Sequence, residues 1–187
     1  MDGAGLSKTE AEAAFGVLKS VGFDRVEKIT FIKETEGMRV YSAALGYTTN
    51  FLVTFVDNEI FGISQGNDFV LYDRDAGGVL DKVTNYVLDT EDRGLFMYLT
   101  EEVVKRSLKS PSTAKFPGIF EQDQWRMGRD HDIVTVKSWV DAQNSFGAVI
   151  RAQFTAQFSY SSQDLLYLEL DGQVLYGSLQ PYKRNSK

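Results

Sequence analysis

Apolar and polar residues alternate with a period of two along residues 150–160. Ile150, Ala152, Phe154, Ala156, Phe158 and Tyr160 fall on one face, and Arg151, Gln153, Thr155, Gln157 and Ser159 on the other. That pattern predicts a long strand with one buried and one wet face. It runs to about twice the usual ~5–6 residues. The inner face alternates bulky and small side chains, so a helix can lie close over the alanines with the phenylalanines against its sides. The helix expected there spans residues 92–109. Leu95, Phe96, Leu99, Val103 and Ser107 lie near one of its faces, and residues 89–92 offer caps. Lys105, Arg106 and Lys109 suit the negative end of its dipole, and Pro111 stops it.

A first helix is predicted over 9–21. Ser7 and Thr9 are candidate N-caps with Glu10 and Glu12 three residues on. Ala11, Ala14, Phe15, Leu18 and Val21 recur at helical spacing, and Gly22 follows as a C-terminal glycine. Strands are expected over 26–33, 39–45, 51–56, 59–64 and 69–72, with the nearly all-apolar 51–56 central. Val79, Leu80, Val83, Tyr86 and Val87 recur at helical spacing, with a strand over 83–88 as the alternative. A possible edge strand over 120–127 holds Trp125, and residues 128–132 turn into a strand over 133–141. Residues 165–170 and 173–179 close a hairpin through Asp171-Gly172.

Two hairpins match without a gap at most apolar positions, the turn and the terminal serine, though not at Phe55 against Glu169. One is Leu52-Val-Thr-Phe-Val-Asp-Asn-Glu-Ile-Phe-Gly-Ile-Ser64. The other is Leu166-Tyr-Leu-Glu-Leu-Asp-Gly-Gln-Val-Leu-Tyr-Gly-Ser178. Residues 47–50 echo 160–163 upstream. Each hairpin belongs to a stretch that begins with one amphipathic helix. The expected fold class is therefore α+β: two tandem units, each a helix packed on an antiparallel β-sheet meander. The boundaries read from the chain are 1–90, 91–180 and a flexible basic tail over 181–187. Turn chemistry common to all hairpins explains part of the match.

The 187 residues carry a net charge of −6 and no cysteine. Eight Lys and Arg stand against sixteen Asp and Glu in residues 1–92, and twelve against ten in 93–187. An acidic chain without a basic cluster is a poor match for nucleic acid, whose binding rests on phosphate neutralisation. Without cysteine there is no disulfide, no thiolate nucleophile and no Cys-ligated metal. No apolar run approaches the ~18 residues of a membrane span. Residues 1–7 have neither the basic start nor the apolar core of a leader, which fits a native start and equally a start that replaced a removed leader.

Several motifs touch on chemistry. Gly62-Ile-Ser-Gln-Gly66 fits the nucleophile-elbow pattern around Ser64, which needs a strand, a strained turn and a helix. A strand is expected after it instead. Ser112-Thr-Ala-Lys115 fits a serine–lysine arrangement, but Pro117 forbids the helix that chemistry requires. His131, the one histidine, lies in Asp130-His-Asp132, a turn in which few metal ligands are in reach. The acidic pairs Asp73/Asp75 and Asp89/Glu91/Asp92 sit in loops and caps, where solvated carboxylates are the ordinary outcome. Trp125 and Trp139 are candidates for an aromatic binding surface, with sheet packing as the plain alternative. Asp141 and Asn144 are candidates for a polar recognition loop with Gln143 and Gly147. Turn formation explains the same residue types. No catalytic residue, metal ligand or cofactor is assigned.

The passages Leu108-Lys-Ser-Pro-Ser-Thr-Ala-Lys-Phe-Pro117 and Val140-Asp-Ala-Gln-Asn-Ser-Phe-Gly-Ala148 resemble a pattern in uncharacterised bacterial proteins, many of them envelope-associated or lipoprotein-like. The resemblance covers the C-terminal half and implies no activity or catalytic residue. The tandem plan is also similar in outline to β-lactamase-inhibitor-protein-like repeats, from which this chain departs by lacking cysteine.

The expectation is a non-enzymatic binding or accessory module of the bacterial envelope or exterior, with a protein partner favoured over a small molecule. The alternatives are a small serine hydrolase using Ser64 or Ser112, and an intracellular or phage-associated interaction protein.

Overall fold

A computed structural model of the protein describes residues 5–23, 26, 28–44, 51–65, 69–118 and 121–181. The fold is α+β, with two antiparallel sheets and one long helix ahead of each. Two compact units divide between Val87 and Leu88, slightly ahead of the 90/91 position expected from sequence. The side chains show why: Val87 packs against the first core, whereas Leu88 is buried in the second.

In the first unit, helix α1 (Lys8–Ser20) starts at Ser7. The Ser7 hydroxyl accepts from the Glu10 amide and the Glu10 carboxylate accepts from the Ser7 amide, a reciprocal capping box. Six strands follow as a meander: β1 (Lys28–Thr35), β2 (Met38–Ala44), β3 (Phe51–Val56), β4 (Glu59–Gln65), β5 (Phe69–Asp73) and β6 (Gly78–Val79). The apolar β3 is interior as expected, and Phe51, Val53 and Phe55 alternate into a core with Ala14 and Leu18 of α1. Asp57 and Asn58 both have positive φ, as the two-residue hairpin turn requires. Residues 79–88 resolve into neither open alternative as a whole. They hold the short β6, a 3-10 turn Val83–Asn85 and irregular chain.

In the second unit, helix α2 spans Thr90–Ser107 and is capped by Asp89, whose carboxylate accepts from the Asp92 amide. Its most buried line is Phe96, Thr100 and Val104, with Leu99 and Val103 beside it. The buried Thr100 hydroxyl is satisfied within the helix by donating to the Phe96 carbonyl. The sheet contains β7 (Arg126–Asp130), β8 (Ile133–Gln143), β9 (Val149–Ser159), β10 (Leu165–Leu170) and β11 (Gln173–Gly177), again a meander, with β9 in the middle. The first strand starts later than the expected 120–127. Residues 122–124 form a 3-10 turn, Gly128 lies within β7, and the reversal narrows to His131 and Asp132.

The long strand is extended, and Phe154, Ala156 and Phe158 are buried on the face toward α2. Phe158 and Tyr160 both lie against Phe96. Burial of the two β9 phenylalanines contributes about 3–6 kcal/mol before entropy is subtracted. Two expectations are corrected. Ile150 is on the inner side of the strand but 51% exposed. On the other face, Gln157 and Ser159 are buried rather than wet. Gln157 is satisfied there by Thr135 and by the backbone of Gln180, and Ser159 by Asp132. Gln180, the last residue before the tail expected over 181–187, is thus held against the sheet. Residues 182–187 lie outside the described residues.

The matched hairpins share more than their turns. Each carries a bulge three residues past the turn, so Phe55 pairs Ile60 and Thr54 pairs Gly62, while Glu169 pairs Val174 and Leu168 pairs Tyr176. They hold different places in their meanders, since β3–β4 is interior and β10–β11 ends its sheet. The upstream echo at 47–50 lies outside the described residues.

Candidate functional site

The serines are the first residues to place. Ser64 sits within β4, paired with Leu52 on one side and Val70 on the other, and strand β5 follows. A nucleophile elbow needs the strand to turn into a helix, so this backbone does not form one. Gly66 lies outside the described residues. Ser112 is exposed in a single 3-10 turn, Pro111–Thr113, after which Ala114 is extended and Lys115 bridges to Asp141. Ser112 and Lys115 therefore do not share a helix face.

His131 takes a left-handed backbone at the β7–β8 turn, and its Nδ1 lies 2.7 Å from Asp130 Oδ1. Asp130 is 1% exposed, and its second carboxylate oxygen has no hydrogen-bond partner among the described residues. Beside this pair the Arg129 guanidinium lies over the Tyr160 ring, at 3.3 Å from the centroid. Burial, and then the bond from Tyr160 to Asp92, push the Tyr160 phenol above its ordinary range. The Ser159 hydroxyl and the Ser161 amide donate to Asp132 and hold its carboxyl low. Apart from that Asp130 oxygen, these groups bond to one another and brace the turn. No group of three or more metal-ligating side chains converges among the described residues.

The sequence-derived binding candidates separate. Trp125 is core: it is 2% exposed, it stacks on Phe116 and tilts against Phe154, and its Nε1 donates to the Pro117 carbonyl. Its indole is closed off from a ligand. Trp139 and Asp141 do come together on the outer face of β8, through a residue that sequence reasoning did not single out. Arg151 donates to both Asp141 oxygens at 2.8 Å, and its guanidinium lies 3.5 Å from the Trp139 ring centroid. The pairing with Arg151 holds the Asp141 carboxyl below its ordinary range. Asn144 forms a turn: its side-chain oxygen accepts from the Phe146 and Ala148 amides, and its carbonyl accepts from Gly147.

That turn presents the residue the sequence reading missed. Phe146 stands at the tip of the β8–β9 hairpin and is 94% exposed. A phenylalanine between Asn-Ser and Gly, where turn residues dominate, was the available signal. Its setting is a concavity of about 410 Å³ on the inner side of the sheet, beyond the end of α2. Val140, Ala142, Ile150 and Ala152 come from the hairpin, Ser107 to Lys109 from the helix end, and Leu170 and Leu175 from the last hairpin. The origin is a mismatch of length. α2 ends at Ser107, while β8 and β9 continue together as far as the Gln143–Val149 pair. The last stretch of the inner sheet face therefore has no helix above it among the described residues. A cavity of this size, apolar with a polar rim, falls in the range of sites that bind other molecules.

A second hollow of about 450 Å³ lies on the first sheet, bordered by Thr30, Ser42 and Leu52, without convergent polar chemistry. No helix among the described residues is long and apolar enough to cross a membrane. Comparison with protein-family models, with curated proteins and with solved structures finds no match to this chain.

Proposed function

We propose that the protein is a binding or accessory module that works by contact rather than by catalysis, through the open end of its second unit. The observation that carries this reading is the 94% exposure of Phe146, on a turn hydrogen-bonded through Asn144, beside an apolar concavity. Large aromatic side chains on braced turns are costly to leave in water, and they supply contact area at little entropic cost when a partner covers them. Ser64 and Ser112 lie in backbone settings unsuited to the hydrolase chemistries their motifs suggest. A protein partner fits a projecting knob better than a small molecule does. The sequence resemblance to envelope-associated bacterial proteins supports action at the cell envelope or exterior, and fractionation of source cells tests that placement.

The function is tested by placing a photo-crosslinking amino acid at position 146, with position 19 on the exposed side of α1 as control. The expected result is a discrete protein adduct from 146 and none from 19. Equal labelling at both positions, or none at 146, overturns the reading.

A further inference from the structure

We infer that the open end of the second unit binds a second copy of this chain, by antiparallel pairing of the free edge of β9. This rests on the reading of that end as a contact surface and names its occupant.

The backbone supplies the argument. Asp141 exchanges both of its backbone hydrogen bonds with Lys115, and Gln143 donates to Thr113, so these groups point away from β9. Asp141 lies opposite Arg151, and Gln143 opposite Val149. Opposed residues in an antiparallel ladder direct their backbone groups alike, so the N–H and C=O of Arg151 and Val149 also point outward. β10 pairs with β9 only from Phe154 onward, and beyond it the Asp171 amide bonds the Gln153 carbonyl. Among the described residues, two residues' worth of donors and acceptors, at 149 and 151, therefore form an open edge. Such an edge specifies an extended strand as its partner.

Its spacing is self-complementary. With a two-fold axis at Ile150, Val149 of one copy meets Arg151 of the other, and the reverse, giving four hydrogen bonds from the two open positions on each copy. Ile150 then faces Ile150 on the inner side, and Arg151 faces Val149 rather than another arginine, so like charges are not opposed. The register runs only from 148 to 152, because Asp171 and Leu170 already occupy the places opposite Gln153 and Phe154, so the tip carrying Phe146 leaves the ladder beside the β10–β11 hairpin of the second copy. There β10 ends, and Leu170 and Leu175 border the concavity. Knob and hole lie side by side on each copy, as an isologous interface requires. Phe146, Val149, Ile150 and Leu175 are 94%, 65%, 51% and 40% exposed. Together they present on the order of 450 Å², against the ~800 Å² per partner of a standard interface. With its polar rim this suits a weak, reversible dimer.

Sedimentation equilibrium of the full chain from about 1 to 300 µM tests this, bracketing the affinity expected for so small an interface. The expected result is a reversible monomer–dimer equilibrium. Val149→Pro removes an outward N–H that β8 does not use, and Phe146→Asp removes the knob. Each is expected to weaken dimerisation at least about tenfold, with circular dichroism and melting retained, while Lys19→Gln leaves it unchanged. A chain that stays monomeric throughout, or a dimer indifferent to both variants, overturns the inference. The crosslink at 146 separates the two readings. An adduct of twice the chain mass supports self-pairing. A monomeric chain crosslinked to a different protein overturns self-pairing but keeps the contact module. No adduct in a chain that remains monomeric overturns both.

Discussion

Gln157 grips the backbone of Gln180 with both ends of its side-chain amide. Its Oε1 accepts from the Gln180 N–H at 2.7 Å and its Nε2 donates to the Gln180 carbonyl at 3.1 Å, while also reaching the Thr135 hydroxyl. The amide thus imitates a strand neighbour for one residue of the C-terminal extension. Gln157→Leu keeps the bulk and strands those groups, so it is expected to cost about 1–3 kcal/mol in urea unfolding. Hydrogen exchange at the Gln180 amide is expected to be slow in the wild type and fast in the variant.

The Glu10 carboxyl completes the cap of α1 and also receives the Arg39 guanidinium at 2.6 Å, while Arg39 reaches Asn58. The bond with Ser7, then that with Arg39, lowers its pKa from 4.5 to about 2. The unfolded chain therefore takes up this proton first as pH falls. The contribution to stability is complete above pH 4.5 and is lost between there and about 2. A pH titration of unfolding is expected to show a shallower acid slope for Arg39→Gln than for the wild type.

Gly177 has φ +63°, and a Cβ there would land on the carbonyl oxygen of Leu166. The clash is with backbone and cannot be relieved by a rotamer. Gly177→Ala is expected to destabilise the second unit by about 2 kcal/mol or more, read as a lowered denaturant midpoint. Gly147→Ala, at a positive φ but in open space, is expected to cost about half as much.

Two positions on one strand face test the length mismatch between α2 and the sheet. Phe154 is 3% exposed and Ile150 51%. Phe154→Ala is expected to cost about 3–5 kcal/mol and Ile150→Ala less than about 1 kcal/mol, measured on the monomer. Equal costs would show that something of this chain covers Ile150.

Local pattern determined much of this protein. Period-two alternation gave β9 and its inward phenylalanines, Ser7 and Asp89 marked helix starts, and Asp57-Asn58 and Asp171-Gly172 fixed two turns. Each is settled by residues within a few positions of one another. Tertiary structure decided what depends on how far neighbouring elements reach. Period two placed Ile150 with Phe154, but only the end of α2 at Ser107 separates an open side chain from a buried one. Gln157 read as wet because its covering backbone lies at Gln180, far along the chain. Trp125 and Trp139 look alike in sequence. One is enclosed by Phe116 and Phe154 and the other lies under Arg151 on the opposite face. Phe146 gained its meaning from a hairpin that outruns the helix above it, a difference in length between elements that no local pattern records.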